Sequence, residues 1–136
     1  MTPRASCPFC EIAPQSIVDD SPHTLALRDG YPVAPGHVLV VPRRHVTSIF
    51  DLQLEEWEDL WALVRRVRSG LEELREADGV NVGVNDGAAA GQTVDHAHVH
   101  LIPRNAGDVP DPRGGVRRVI PRRADYWTPR SPDETP

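Results

Sequence analysis

The 136-residue chain contains no lysine, because all 15 of its basic residues are arginine. Reactions that need a lysine amine are therefore excluded, including Schiff-base formation and a phosphate-binding loop built on lysine. Aromatic residues make up only 5% of the sequence, and 20 acidic residues give a net charge of −5. This charge argues against binding along a nucleic-acid backbone, so no nucleic acid is expected as a partner. A small anion can still be bound through local donors.

Long apolar segments are also missing from the sequence. No run approaches the roughly 20 apolar residues that a membrane-spanning helix needs, so no membrane partner is expected. The first residues, MTPRASC, lack the apolar region of a secretory signal, which predicts a cytoplasmic protein. The length is typical of a single domain covering residues 1–136, and we therefore expect one active site.

Cysteine is scarce, with only Cys7 and Cys10 in the sequence Cys-Pro-Phe-Cys. In a reducing compartment this pair is better interpreted as two metal ligands or free thiols than as a disulfide. A tetrahedral zinc site needs two further ligands, and histidine is the abundant candidate. We select His45 and His96, which predicts a Cys2His2 site. Two ordinary cysteines without a metal are the alternative.

Three histidines alternate with small or branched apolar residues within residues 93–102. In a β-strand this period of two places His96, His98 and His100 on one face and the apolar residues on the other. Same-face neighbours lie about 6.6 to 7 Å apart along a strand, so three imidazoles converge poorly on one metal ion, although two could share one. A nucleophilic imidazole flanked by hydrogen-bond donors is the other possibility, and the middle ring is best placed for it.

Outside the histidines, the sequence pattern is typical of an α+β protein. Residues 16–29 predict a hairpin of two short strands, and residues 37–41 and 80–85 predict further strands. Apolar residues at steps of three and four over 54–77 predict one long amphipathic helix.

Three other segments bear on a binding site. Asp29 ends a predicted strand, where its carboxylate either binds a ribose diol or serves as a cap. The small-residue loop 86–93 lets backbone N–H groups approach an anion such as phosphate. Residues 104–136 form an irregular tail rich in arginine and proline, with a short strand expected over 116–120. This tail completes a phosphate site, wraps a second subunit or remains solvated.

Residues 91–104, GQTVDHAHVHLIPR, resemble the defining motif of the histidine-triad (HIT) superfamily, in which histidine alternates three times with hydrophobic residues. Further similarity covers residues 25–29 with Pro32, residues 35–40 and the helix that follows. The GQTV and PRNAGD segments are similar to the Fhit branch, whereas the short chain and the CxxC start resemble bacterial HIT proteins. The resemblance implies an α+β HIT-like fold, an antiparallel five-stranded sheet with one long and one short helix, usually paired as a homodimer.

The same resemblance implies a nucleotide hydrolase or nucleotidyl transferase. His98 would attack the α-phosphorus of a nucleoside phosphoramidate or dinucleoside polyphosphate, expected to carry a purine, and water would then release the nucleoside monophosphate. His100 would donate to the phosphate or leaving group, and His37 would support it. Two alternatives stay open: a nucleotide-binding signalling module with incidental hydrolysis, and a metal-dependent hydrolase with catalytic zinc on the histidines.

The remaining site residues are also carried over by resemblance. Those expected to bind nucleotide are Asp29, Asn85, Gln92, Thr93, His98 and His100. Those expected to hold a structural zinc, through an N-terminal segment over residues 1–14, are Cys7, Cys10, His45 and His96. Without the metal, His96 would return to a hydrogen-bonding role.

Overall fold

The computed structural model describes residues 6–129. Most of the start from which a cytoplasmic location was predicted lies outside these residues, as do residues 130–136 of the predicted tail. The chain divides into two compact units, Met1–Arg104 and Asn105–Pro136. Among residues 6–129, no helix has the length and apolar composition that crossing a lipid bilayer demands.

Within the described residues, the first unit contains one antiparallel sheet of five strands in the order β1-β2-β3-β5-β4. The strands are β1 (Ile17–Asp20), β2 (Thr24–Arg28), β3 (Val38–Pro42), β4 (Gly79–Gly83) and β5 (Val99–Arg104). The predicted five-stranded antiparallel sheet is therefore confirmed, and its first two strands form the predicted hairpin.

Two helices, α1 (Leu54–Gly70) and α2 (Glu72–Arg75), lie between β3 and β4. The expected pair of one long and one short helix is confirmed, but a continuous helix as far as Ala77 is wrong. Leu71 interrupts it with an extended backbone, φ −74° and ψ 130°. The break follows a glycine, which weakens a helix, and it brings Leu74 into the core, where that side chain is fully buried.

Strand β3 lies in the middle of the sheet and is buried along its whole length. A continuous apolar run of this kind is typical of a strand that is covered on both faces. Val38 and Val40 pack in the core beneath α1, whereas Leu39 and Val41 belong to a second cluster that includes Phe9. The segment before β1 therefore covers the face of the sheet opposite α1.

Strand β5 begins only at Val99, so the strand predicted over residues 93–102 is wrong in its first half. Ala97 donates its N–H to the Val46 carbonyl at 2.7 Å, outside the hydrogen-bond ladder of the sheet. The apolar residues of the pattern still face the core, since Ala97, Val99 and Leu101 are all buried, although His96 and His98 between them are buried as well. The apolar half of the pattern therefore predicted the core correctly.

A buried carboxylate fixes the start of α1. Glu56 accepts the Gln53 N–H at 3.0 Å and two contacts from Arg44, at 3.1 Å from Nε and 2.9 Å from Nη2. The guanidinium lowers the pKa of Glu56 below its ordinary value. Because Arg44 directly precedes His45, this ion pair ties one of the predicted metal ligands to the helix.

Glu56→Ala is expected to reduce the free energy of unfolding by about 2 to 3 kcal/mol at pH 7, because it removes charge-assisted hydrogen bonds. Glu55→Ala in the same turn is the matched control, since Glu55 is exposed and should change stability by about 0.5 kcal/mol or less. The lowered pKa means that the contribution of Glu56 is present above its unfolded pKa and is lost as pH falls through the folded pKa. Urea unfolding measured from pH 7 downward checks both the size and the pH dependence of this effect. Equal free energies of unfolding for Glu56→Ala and Glu55→Ala at pH 7 would contradict the role of Glu56.

The second unit contains short 3-10 helices at Gly115–Val119 and Pro121–Arg123. The strand predicted over 116–120 is therefore wrong. Local bonds replace strand pairing: the Arg117 N–H donates to the Gly114 carbonyl at 2.8 Å, and its guanidinium donates to the Ala124 carbonyl at 2.9 Å.

Candidate active site and metal cluster

A cavity of about 560 Å³ lies on the face of the sheet opposite α1, where Leu27 and Leu39 form part of its wall. The predicted site residues that line it are Asp29, His37, Asn85, Thr93, His98 and His100. Strands position three of these residues, since Asp29 directly follows β2, His37 directly precedes β3, and His100 lies within β5.

The His98 ring is held in one tautomer. Its Nδ1 lies 2.9 Å from the backbone carbonyl oxygen of His96, which can only accept, so Nδ1 carries the proton and donates. Nε2 of the neutral ring then has a free lone pair. The ring is buried to 7% exposure but lines the cavity. This is the arrangement that a nucleophilic imidazole requires.

His37 and His100 form a hydrogen-bond chain. The Val33 N–H donates to His37 Nδ1 at 3.2 Å, which places the proton of the neutral ring on Nε2. His37 Nε2 lies 3.0 Å from His100 Nδ1, so the chain continues to His100 and leaves the proton of that ring on Nε2. The residue before His37 must be glycine, because Gly36 has a φ of +88° and a Cβ there would lie 2.4 Å from the Glu73 Cβ.

Both rings of this chain favour the neutral form. Burial lowers the pKa of His37. Burial, followed by the neighbouring His98 and His37 rings, lowers the pKa of His100 to about 4. At neutral pH, His100 is therefore a neutral N–H donor rather than a cation.

The free energy of unfolding is expected to fall between pH 6.5 and about 4, because burial disfavours protonation of His100 in the folded state. Its pKa falls from 6.5 to about 4 on folding, so its contribution is present above pH 6.5 and is lost as pH falls toward 4. The loss amounts to about 2 to 3 kcal/mol, since one pH unit corresponds to about 1.4 kcal/mol and the half-buried ring is partly screened. Urea unfolding between pH 7 and 4 should show a flatter curve for His100→Gln than for the wild type. The exposed His23→Gln is the control and should follow the wild type; a His100→Gln curve that does the same would contradict the assignment.

Asp29 lies beside the His37–His100 hydrogen-bond chain. Its Oδ2 is 3.3 Å from His37 Nε2, and its Oδ1 accepts the Tyr31 N–H at 2.8 Å. Asp29, His37 and His100 are close enough together to hold a metal ion. The Val33 N–H argues against it, because that donor requires the proton to sit on His37 Nε2, the atom that would have to bind the metal. The hydrogen-bond chain therefore accounts for this cluster better.

The loop before the histidines is ordered by Gln92. The amide Oε1 accepts the Gly87 N–H at 2.8 Å, and Nε2 donates to the carbonyls of Thr47 and Val94 at 2.9 and 3.0 Å. The side chain expected to contact phosphate oxygens is thus engaged with backbone groups and shapes the loop, and its contact with phosphate stays a prediction. Its neighbour Thr93 is exposed and lines the cavity.

The four residues predicted for zinc come together in a second cluster. Cys7 Sγ lies 3.4 Å from His96 Nδ1, and Cys10 Sγ lies 3.2 Å from His45 Nδ1 and 3.6 Å from His96 Nδ1. All four donor atoms lie within 4.8 Å of one another. Three of the residues are buried and Cys10 is half-buried.

This donor set fits a tetrahedral zinc ion. Zn–S and Zn–N bonds of about 2.3 and 2.0 Å imply sulfur-to-nitrogen edges of about 3.5 Å, close to the observed separations. His96 Nε2 donates to the Pro42 carbonyl at 2.7 Å, which fixes the tautomer and leaves Nδ1 free to face the thiols. Burial raises the pKa of the Cys7 thiol, so its thiolate form needs a cation beside it.

Two further residues, Phe9 and Val33, contribute to the site without having been predicted from the sequence. The Phe9 ring lines the cavity and lies 5.1 Å from the His98 ring. Phe9 could have been predicted from its position between the two predicted ligands Cys7 and Cys10. A turn that brings both thiols to one cluster also fixes the residue between them. Val33 acts through its backbone N–H, for which side-chain identity gives no signal.

Together, an antiparallel sheet and a cavity with His98 and His100 at its wall define a protein of the histidine-triad type. The chain belongs to the HIT domain family, whose model matches residues 11–107.

Two curated relatives carry activity names. The chain is 47% identical over 85 residues to the bis(5'-adenosyl)-triphosphatase of Dictyostelium discoideum, covering 62% of this chain and 57% of the relative. It is 40% identical over 98 residues to the bifunctional bis(5'-adenosyl)-triphosphatase/adenylylsulfatase of Arabidopsis thaliana, covering 72% and 54%. The chain thus spans little more than half the length of these relatives.

A solved structure supports the fold independently. The Zn-bound histidine triad family protein from Mycobacterium smegmatis superposes with a TM-score of 0.64 at 36% identity, covering 78% of this chain and 84% of that one.

Proposed function

We propose that this protein is a nucleotide hydrolase or nucleotidyl transferase that forms a covalent nucleotidyl intermediate on His98. The observation that carries the proposal is the hydrogen bond from His98 Nδ1 to the His96 carbonyl, because in the neutral ring it leaves the lone pair of Nε2 available at the cavity wall. The names of the two curated relatives favour adenine dinucleotides with a polyphosphate bridge as substrates. A nucleoside phosphoramidate is the other substrate class that this chemistry accommodates.

The reaction has two displacements at the α-phosphorus. His98 Nε2 forms a P–N bond while the bond to the leaving group breaks, and the His96 carbonyl stabilises the positive charge that develops on the ring. His100 donates its Nε2 proton in a hydrogen bond to phosphate oxygen, supported by His37. Water then attacks the phosphorus and forms a P–O bond as the P–N bond breaks; the water gives up one proton to solvent, the nucleoside monophosphate is released and the ring returns to its neutral form.

The other cavity residues would bind the nucleotide. Asp29 would accept hydrogen bonds from ribose hydroxyls, with Asn85 and Thr93 near the phosphates and Gln92 ordering the loop that presents them. The apolar wall that includes Leu27 suits a purine ring.

The same proposal assigns a structural zinc to Cys7, Cys10, His45 and His96. Bound zinc would tie the N-terminal segment, residues 1–14, to the two histidines, while the tail 104–136 has no assigned role. We also propose a homodimer: β4 is the last strand of the sheet order, and Val82 on it is 41% exposed, which offers an edge for a second copy. The cytoplasmic location stays a prediction.

A substrate panel tests the activity. The protein is incubated with diadenosine triphosphate and, separately, with adenosine phosphoramidate, and released AMP is quantified by chromatography. We expect turnover of at least one of the two, with their kcat/KM values ranking the leaving groups. Tight AMP binding without release from either substrate would contradict the proposal and favour a nucleotide-binding module.

A further inference from the structure

Phe9 connects the metal cluster with the cavity. It lies between Cys7 and Cys10 in a tight turn in which the N–H groups of Cys10 and Glu11 both donate to the Cys7 carbonyl, at 3.1 and 3.2 Å. Because both thiols face His96, the turn has little freedom to move its middle residues while the cluster is intact. The position of the Phe9 ring is therefore set by the cluster.

The same ring touches two histidines with different roles. Its centroid lies 5.8 Å from the His96 ring at an interplanar angle of 89°, and 5.1 Å from the His98 ring at 63°. Both are edge-to-face contacts, a preferred geometry for aromatic pairs. The hydrogen bond from Nδ1 to the His96 carbonyl restrains one side of the His98 ring, and the contact with Phe9 limits rotation of the same ring from another direction. Two constraints of this kind fix the direction in which Nε2 points.

We infer that Phe9 is a positioning residue, which transmits the state of the Cys7/Cys10/His45/His96 cluster to the orientation of His98. The importance of that orientation for turnover rests on the proposed function. When the cluster is intact, the turn holds the Phe9 ring against His98. When the cluster opens, the turn relaxes and the His98 ring gains rotational freedom. The metal cluster is then linked to the cavity without contributing an atom to the reaction.

The experiment follows the His98 ring by NMR in the absence of substrate. Protein with 13C-labelled histidine is compared as wild type, Phe9→Ala and Ile12→Ala, each loaded with zinc and then treated with EDTA. Ile12 is the matched control, since it lines the same cavity and packs on the same apolar cluster as Phe9. Metal content is measured for every sample, and Phe9→Leu replaces the alanine variant if that variant loses zinc or does not fold.

In the zinc-loaded wild type we expect one sharp set of His98 ring signals, which shift and broaden on chelation. Phe9→Ala should show the shifted, broadened signals already with zinc bound, and EDTA should add no further change. Ile12→Ala should keep the sharp His98 ring signals of the zinc-loaded wild type and should show the same change on chelation. With a turned-over substrate, Phe9→Ala should lower kcat about 10- to 100-fold and change KM by less than about threefold.

Three outcomes overturn the inference. One is an unchanged His98 spectrum in zinc-loaded Phe9→Ala; another is an effect of equal size in Ile12→Ala; the third is a KM effect without a kcat effect, which would make Phe9 a ligand contact only. The spectra need no substrate, so failure of the proposed function leaves this test intact.

Discussion

His98→Ala should lower kcat/KM for the best substrate of the panel by at least about 1,000-fold, equivalent to about 4 kcal/mol of barrier. Alanine removes the only atom to which the nucleotidyl group is proposed to be transferred. The remaining hydrogen-bond donors, His100 among them, can bind phosphate but cannot form the P–N bond. Substrate binding should therefore persist: we expect the Kd for AMP to change by less than about tenfold, measured by calorimetry.

The control for this variant is His23→Ala, which removes an exposed histidine outside the cavity lining. It should retain wild-type kcat/KM and a stability within about 0.5 kcal/mol of the wild type. Urea unfolding of His98→Ala should show that this variant, which loses a buried ring, is still folded under the assay conditions. Turnover by His98→Ala within about tenfold of wild type would remove His98 from the nucleophile role.

Loss of the metal cluster is expected to produce a large decrease in stability. Zinc bound at 100 times its Kd would stabilise the folded chain by about 2.7 kcal/mol, which for a chain of this size corresponds to roughly 10 °C in Tm. The double variant Cys7→Ser/Cys10→Ser should melt at that lower temperature with or without zinc. EDTA should lower the Tm of the wild type to the same value, and added zinc should restore it.

This comparison also separates a structural from a catalytic metal. A structural zinc predicts that activity declines together with order in the N-terminal segment, because His98 supplies the chemistry. Activity abolished by EDTA at an unchanged Tm would contradict that account and support a catalytic zinc on the histidines. An identical Tm for the wild type and the double variant in excess zinc would exclude a stabilising metal.

Periodicity predicted the sheet well, because the strands bury regular sets of apolar side chains. It failed where tertiary contacts replaced regular structure. Residues 93–98 alternate like a strand, but Ala97 bonds to Val46, outside the sheet ladder, and the His98 ring bonds to the His96 carbonyl. The interruption of the helix at Leu71 likewise depends on burying Leu74, which helix periodicity cannot show.

In the candidate site, likewise, the sequence predicted some features and could not predict others. Residue identity and spacing selected the two thiols and two imidazoles that the fold brings within 4.8 Å of one another. What spacing could not provide is the direction of each ring: the tautomer of His37 depends on the backbone N–H of Val33, and Gln92 turns its amide toward the loop. The first contact depends on the backbone conformation of the loop before β3, and the second depends on the position of Thr47, 45 residues away; neither leaves a signal in residue identity.

The most direct test of the central claim is to trap the intermediate. Wild type and His98→Ala are mixed with diadenosine triphosphate, quenched within milliseconds to seconds in alkali, where a P–N bond to histidine survives, and digested for mass spectrometry. The account predicts one added AMP on His98 of the wild type, formed and consumed at rates compatible with turnover, and none on the variant. Turnover without that adduct, or an adduct on another residue that forms equally in His98→Ala, would contradict it.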